Sequence, residues 1–481
     1  MDKLSLIRTT NLNLQYHLVQ MIARWWLAIL LSLHLILFCT LLAIALTPHT
    51  VRADDPDCSA RLRTAAAVSF DDQKVGPDTL LYQSVYTEMN WAGDIIATCL
   101  DVRGDKTPCL CEDWSGLLEE CSDPFTPGFP EIKWSADTLA WKIDTDLNKD
   151  PEDGWWRRRK IITYNDQAMK GVPFDYLSIS DKQRKWLRHD PDLLAFIRGD
   201  RSLENIRFRK RSSYYGDFIH FTPLWYSSIL LAGANDGMLH VFDEQSGHEY
   251  FSYVPNLLYS KWHPETSTTG SPSEKLALLG DTNYQENHQF YVDGPVAVTY
   301  LEDRATTILA GSLGRGGLGI YTLNLFGIRE TDDIEAHAAD IVMWEYPDPS
   351  RDGFQIIDGR FARVDPAVDE STDTYSETVT ALSTDPYLGR VFGAPKIVKL
   401  PFPDEDGYRW CVVFGNGYHS LNQTPVLYVL DAYDGSLIRR VLTTKQEEAD
   451  PSVSGSSCNP EFGCNGLSSP VLVDENEDGI I

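Results

Sequence analysis

The spacing best suited to chemistry is Asp474-Glu-Asn476-Glu-Asp478-Gly479-Ile480. Side-chain oxygens recur at alternate positions, glycine stands sixth, and Ile480 stands seventh, where an EF-hand-type loop offers a backbone carbonyl. Alternating oxygens can wrap one hard cation, and the glycine allows the sharp turn this requires. Asp474, Asn476, Asp478 and Ile480 are therefore candidate ligands for Ca²⁺. Positions nine and twelve of such a loop fall after Ile481, so the expectation is a calcium site weakened or lost in this chain. The competing reading is an acidic tail that holds no metal.

Other spacings carry less. Asp144-x-Asp146-x-Asn148-x-Asp150 has Lys149 where the turn glycine belongs and Trp155 where the bidentate glutamate belongs, which favours a solvated loop. Gly314-Arg-Gly316-Gly-Leu-Gly319 matches a dinucleotide fingerprint, but a strand-like run, Ile320 to Leu325, follows where a helix must hold the pyrophosphate. Cys109-Leu-Cys111 lacks a second ligand pair at zinc spacing. His220, His240 and His288 are scattered and read as structural. No Gly-x-Ser-x-Gly elbow, His-Glu-x-x-His helix or P-loop is present, so no catalytic residues are assigned and the protein is expected not to be an enzyme.

The elements that must position these residues are mostly strands. From about Tyr214, apolar runs alternate with Gly, Asn and Asp turns, the pattern of an all-β array. Ile229–Gly233 with Leu239–Asp243, Thr307–Gly311 with Ile320–Asn324, and Cys411–Gly415 with Leu427–Asp431 form three copies of one unit. Asp243-x3-Gly247 and Asp431-x3-Gly435 share a spacing. One small sheet cannot bury both its faces, whereas several arranged radially can, which points to a β-propeller. The unit's glycines are 78 and 104 residues apart, longer than one blade of roughly 40–50 residues, so extra blades or insertions must fill the gaps. Gly280 to Val298 and Val391 to Leu400 supply further strand candidates, and Glu330 to Asp340 reads as a surface loop.

Four segments follow: an export signal over 1–53, a Cys-rich irregular α+β lead-in over 54–155, a basic and partly helical connector over 156–210, and a partial propeller over 211–481. The signal rests on the uncharged 22-residue run Trp25 to Leu46, the cations Lys3, Arg8 and Arg24 before it, and Val51-Arg52-Ala53 as a cleavage site. An uncleaved membrane anchor is the alternative. Removing it changes the formal charge from -28 to -31 and leaves eight of nine cysteines, an even number that suggests disulfides in an exported chain, Cys458 with Cys464 first among them. Such acidity excludes a general nucleic-acid binder, which needs clustered Lys and Arg.

A resemblance adds to this. Gly216-Asp217-Phe-Ile-His-Phe-Thr-Pro223, Gly233-Ala-Asn235-Asp236-Gly237-Met238, Tyr253-Val-Pro255-Asn256, Tyr291-Val-Asp293-Gly294, Gly415-Asn416-Gly417-Tyr418 and Asn465-Gly-Leu467 occur in an order that resembles the propeller domain of the PilY/PilC family. Trp91-Ala-Gly-Asp94, Trp141, the Arg159 to Tyr164 stretch and Arg198-Gly-Asp200 resemble its lead-in. These are type IV pilus biogenesis factors and tip adhesins. The resemblance implies a non-enzymatic pilus assembly and adhesion factor. It implies a calcium-modulated propeller that supports pilus extension, surface attachment and twitching motility. The implied partners are pilus subunits, minor pilins and cell or abiotic surfaces. The implied location is the periplasm, outer surface or pilus tip. The Asp474, Asn476, Asp478 and Ile480 positions match the family's calcium loop. Two alternatives remain: a quinoprotein-type dehydrogenase, whose docking motif Val241-Phe-Asp243-x3-Gly247 resembles but without its tryptophan, and a carbohydrate-binding propeller.

Overall fold

The computed structural model describes residues 64–70, 80–87, 90–99, 132–147, 155–259, 261–262, 273–329, 331, 333–347, 354–357, 360–363, 385, 387–402, 407–418, 420, 425–442, 466–474 and 479–481. The chain divides into Met1–Leu62 and Arg63–Ile481, and all of these residues lie in the second unit. The export segment, Cys58, Cys109, Cys111, Cys121, Cys458 and Cys464 lie outside the described residues. Among the described residues no helix is long and apolar enough to cross a membrane. Cys411 is a free, buried thiol, and burial pushes its pKa up to about 12, so it packs as an apolar group.

The protein is mostly β. The first sheet has four antiparallel strands in chain order, β1 (Thr64–Phe70), β2 (Leu80–Thr87), β3 (Ala92–Cys99) and β4 (Ile132–Ser135). Short β7 (Tyr215–Gly216) also pairs with β3. The second sheet runs β8 (Leu224–Tyr226), β9 (Ile229–Gly233), β10 (Leu239–Asp243), β11 (Glu249–Val254), and is extended by β5 (Ile161–Asn165) and β6 (Lys170–Pro173). The third is β14 (Val296–Leu301), β15 (Thr306–Ser312), β16 (Ile320–Asn324), β17 (Val342–Tyr346), and the fourth β20 (Lys396–Phe402), β21 (Gly407–Gly415), β22 (Val426–Asp431), β23 (Leu437–Leu442). Four-stranded meanders that follow one another along the chain are propeller blades.

Sequence chemistry explains the punctuation. Pro223, Pro295 and Pro395 each stand immediately before the first strand of a blade, where a missing N–H costs no ladder bond. Pro470 stands in the same relation to segment 471–474, which belongs to no sheet. These prolines are 72, 100 and 75 residues apart, and among the described residues each interval holds one blade with its insertions. Two insertions carry small hairpins, β12 (Lys261–Trp262) with β13 (Ser273–Glu274), and β18 (Phe354–Ile357) with β19 (Arg360–Arg363).

Among the described residues five helices lie beside the sheets: α1 (Ala136–Leu147), α2 (Trp155–Arg158), α3 (Asp181–Trp186), α4 (Pro191–Arg198) and α5 (Ala338–Ile341). Helix α3 starts on a capping box made by Ser180 and Gln183, and α4 on Asp190 followed by proline. The stretch read as a surface loop around Glu330 to Asp340 instead docks inward. Ile334 and Ala338 are buried, and Glu335 pairs with Arg198 at 3.2 Å.

The blades meet through a device repeated twice. Trp134 on β4 lies against Gly247 of the second sheet, and Trp344 on β17 lies against Gly435 of the fourth. A methyl group at either glycine would come within 2.5 Å of the indole ring. Trp134 Nε1 donates to the Glu244 carbonyl at 2.9 Å, and Trp344 Nε1 to the Ala432 carbonyl at 3.0 Å. Both glycines have φ near +70°, and each N–H closes onto the aspartate four residues earlier, Asp243 or Asp431. The shared Asp-x3-Gly spacing is therefore a socket for a neighbouring sheet's tryptophan.

Candidate metal site and the buried motif cluster

The candidate metal loop is partly described. Asp474 Oδ2 accepts the Gly479 N–H at 2.7 Å, and Gly479 has φ +82°, the left-handed turn that glycine permits. The chain then returns to the propeller, where Ile481 N–H donates to the Lys399 carbonyl of β20 at 2.9 Å. Asp474 Oδ1 is buried and has no hydrogen-bond partner among the described residues. An orphaned carboxylate oxygen costs several kcal/mol of order unless a cation or donor meets it. Asn476 and Asp478 lie outside the described residues, and among those described no three His, Cys, Asp or Glu side chains are arranged to hold a metal ion. Asp474 and the turn at Gly479 suit a hard, oxygen-seeking cation: one carboxylate oxygen organises the loop and the other is left over.

The second acidic series is committed elsewhere. Asp144 sits on α1, where Oδ1 accepts the Trp155 N–H at 3.2 Å and Oδ2 accepts the Tyr214 hydroxyl at 2.6 Å. Asp144 is part of a helix and not of the solvated loop expected, while Asn148 and Asp150 lie outside the described residues. The turn at Gly314 to Gly316 leads into β16, so the fingerprint-like glycines serve a turn between strands.

The motif Gly233-Ala-Asn235-Asp236-Gly237-Met238 builds a buried knot. Asn235 donates from Nδ2 to Asp217 at 2.5 Å and accepts the Tyr291 N–H on Oδ1 at 2.9 Å. It thereby ties three of the motifs that carry the resemblance: Gly216-Asp217, Asn235-Asp236 and Tyr291-Val-Asp293. Asp236 accepts the Gly216 N–H at 3.1 Å and the Met238 N–H at 3.2 Å. His288 holds Asp217 at 2.8 Å, and His220 holds Asp293 at 2.8 Å, so both histidines are structural.

Behind this knot lies a charged cluster. His240 is fully buried, with Nδ1 2.7 Å from Glu249 Oε1 and Nε2 3.2 Å from Asp236 Oδ1. Arg159 forks onto Glu249 with two contacts of 2.7 Å, and its guanidinium lies 4.7 Å over the Trp155 ring. Burial alone opposes ionisation of Glu249, but Arg159 and His240 outweigh it and hold its carboxyl well below the usual range. Burial opposes the His240 imidazolium too, yet Asp236 and Glu249 raise its pKa above the ordinary value. Two cations and two anions thus neutralise one another. Its signal in the sequence is a His inside the largely apolar β10 and a Glu at the start of β11, together with an arginine just before β5.

Several of the connector's basic residues are ion-paired: Arg184 with Asp181, Arg207 with Asp190 and Asp192, and, just past it, Arg211 with Glu204. Arg198 of Arg198-Gly-Asp200 is buried and donates to the Phe174 and Arg159 carbonyls at 2.8 Å each.

Comparison with known proteins places these features. Residues 211–353 match the family described as the PilY1 beta-propeller domain. The chain is similar to the type IV pilus biogenesis factor PilY1 of Pseudomonas aeruginosa strain PAK, with 30% identity over 467 residues, 88% of this chain and 31% of that protein. It is also similar to a PilY1 homolog of Xylella fastidiosa strain Temecula1, with 26% identity over 331 residues, 60% of this chain and 18% of that protein. The chain thus spans about a third or less of the length of these relatives. Among solved structures, the C-terminal domain of Pseudomonas aeruginosa PilY1 matches at 27% identity and a TM-score of 0.30, covering 52% of this chain and 34% of that one.

Proposed function

We propose, from the premise that this chain belongs to the PilY1 family through its β-propeller domain, that it is an exported, non-enzymatic type IV pilus biogenesis factor that supports pilus extension, surface attachment and twitching motility. The observation that carries the proposal is the Asn235 knot. The residues that mark the family are buried and spent on joining blades, which suits a scaffold that presents loops and not a reaction centre. Pilus subunits, minor pilins and cell or abiotic surfaces are the proposed partners.

Calcium is the proposed regulator. Asp474, Asn476, Asp478 and the Ile480 carbonyl would hold the ion, which would supply charge neutralisation and a link between loop and backbone. The orphaned Asp474 Oδ1 supports this. Because Ile481 bonds to β20, ordering the loop would brace the edge of the fourth blade.

Two experiments test the proposal. Deleting the gene in its host should abolish surface pili and twitching, and the full-length gene should restore both; unchanged piliation would overturn the assignment. Calorimetric titration of the full chain with CaCl₂ should give a heat of binding that Asp474→Ala removes. Identical traces for the two proteins would reject the calcium site and leave the pilus assignment standing.

A further inference from the structure

One buried cation stands apart from the ion-paired arginines. Segment 274–280, which ends in the 3₁₀ turn Leu276–Gly280, touches turns of both the second and the third sheet. At the second sheet, Leu276 and Leu279 pack on Gly237, where a methyl group would come within 3.2 Å of Leu276 and 3.5 Å of Leu279. The far end of the segment is fixed by Arg209, whose backbone N–H donates to the Gly280 carbonyl at 3.2 Å and whose Nε donates to the Leu279 carbonyl at 2.7 Å. At the third sheet the tie is Lys275. Its ammonium donates to the Gly316 carbonyl, in the turn after β15, and lies 5.1 Å from the centre of the Tyr291 ring. The Tyr291 hydroxyl returns a bond to the Lys275 carbonyl at 2.9 Å.

Lys275 is buried. A buried ammonium is stable only when a counter-charge meets it, and this one meets a neutral carbonyl and a ring face. Glu274, its neighbour in the chain, pairs with Arg188 at 3.1 Å. Asp293, in the loop before β14, attracts the ammonium but is itself held by His220 at 2.8 Å. Arg390, before β20, repels it more strongly than Asp293 attracts it. Arg315, beside Gly316, is exposed and lies 4.4 Å over the Phe290 ring. Burial first, and Arg390 second, push the Lys275 pKa down to about 7.

We propose that Lys275 is a pH-sensitive latch: as a neutral amine it holds segment 274–280 closed on the turn of the third sheet, and in a mildly acidic medium the segment opens as the amine takes up a proton. The neutral amine keeps its bond to Gly316, because it is still a donor. Opening returns Lys275 to water and to its ordinary value near 10.5, so the open segment binds the proton more tightly than the closed one. Closure therefore strengthens as the pH rises from about 7 towards 10.5 and is weakest, and level, below 7. The latch depends on neither the calcium loop nor the pilus assignment.

Hydrogen exchange of the full chain, corrected for intrinsic rates, tests this. Protection of residues 275–280 should rise at least about tenfold between pH 6 and pH 9. Lys275→Met, which keeps the length of the side chain without its charge, should flatten that rise. Lys275→Arg, charged throughout, should leave the segment poorly protected across the range. His240→Gln, in the other buried charge cluster, should leave the rise unchanged. In the parent, the lysine Cε resonance that is absent from Lys275→Met should titrate well below those of exposed lysines. Should Lys275→Met not fold, Lys275→Arg identifies the same resonance and the titration decides. Titration of Lys275 near 10.5, or an equal rise in the parent and in Lys275→Met, would overturn the proposal.

Discussion

The second and fourth sheets solve the same structural problem with different chemistry. In the second, the turn after β9 is knotted by Asn235 and Asp236, and four buried charges lie behind it. In the fourth, the turn after β21 is knotted by Asn416. Its Oδ1 accepts the N–H groups of Val426 at 3.0 Å and Leu467 at 3.1 Å, and its Nδ2 donates to the Tyr387 carbonyl at 2.6 Å. These three partners are backbone. The difference follows from what each sheet must join. The second receives β5 and β6 and the arginine that precedes them, so a charge-bearing segment has to be buried and neutralised. Among the described residues the fourth adds no foreign strand, and a neutral amide joins its turn.

That contrast can be broken where it is strongest. Arg159→Ala leaves Glu249 and Asp236 buried against a single imidazolium. A loss of about 3–5 kcal/mol is expected, since removing one partner of a buried pair leaves an uncompensated charge. Hydrogen exchange should speed first at β5 and β11 and leave β21 and β22 protected. Uniform acceleration across both sheets would show that the cluster does not hold the second sheet in particular. Asn416→Ala orphans two backbone N–H groups of the fourth sheet and should cost about 1–3 kcal/mol, localised by exchange to β22 and 466–469.

The tryptophan sockets sharpen the comparison because here the two sheets agree. Gly247→Ala and Gly435→Ala each force a methyl group into an indole and hold a side chain at positive φ, for about 1–3 kcal/mol apiece. Chemical denaturation of the two variants should give similar losses. A harmless Gly435→Ala beside a damaging Gly247→Ala would mean that Trp344 does not occupy its socket as Trp134 does.

Much of this was legible in the residues. Strands β9, β10 and β16 fall where their apolar runs and flanking turn residues put them, because both ends are punctuated locally by Gly, Asn or Asp. The Asp-x3-Gly spacing was visible as well. Its meaning was not, because the tryptophans that fill it lie far off in the chain. Trp134 precedes Gly247 by more than a hundred residues, and no local pattern links them. The charged cluster was hidden for the same reason: Arg159, His240 and Glu249 make sense only once β5 pairs in parallel with β11. At the candidate metal loop the spacing offered candidate ligands, while the unpartnered Oδ1 of Asp474 needed three dimensions to appear. Glu335 misled, since an acidic run reads as surface until Arg198 is seen beneath it.

The smallest expected effect is a pH signature confined to the second sheet. Glu249 has a lowered pKa in the folded protein, so its contribution is present above its ordinary value near 4.5 and fades as the pH falls. His240 has a raised pKa, so its contribution is complete below its ordinary value near 6.5 and is lost as the pH rises through the folded value. The second sheet should therefore be most stable between about pH 4.5 and 6.5 and lose on the order of 1 kcal/mol on the alkaline side. The Asn416 knot contains no ionisable group and should not follow it. Exchange protection of β10, corrected for intrinsic rates, should decline from pH 6 to pH 9, and His240→Gln should flatten that decline. A resolved imidazole resonance of His240 should titrate above pH 6.5. Titration below that value would mean that burial, and not the carboxylates of Asp236 and Glu249, sets the charge of this histidine.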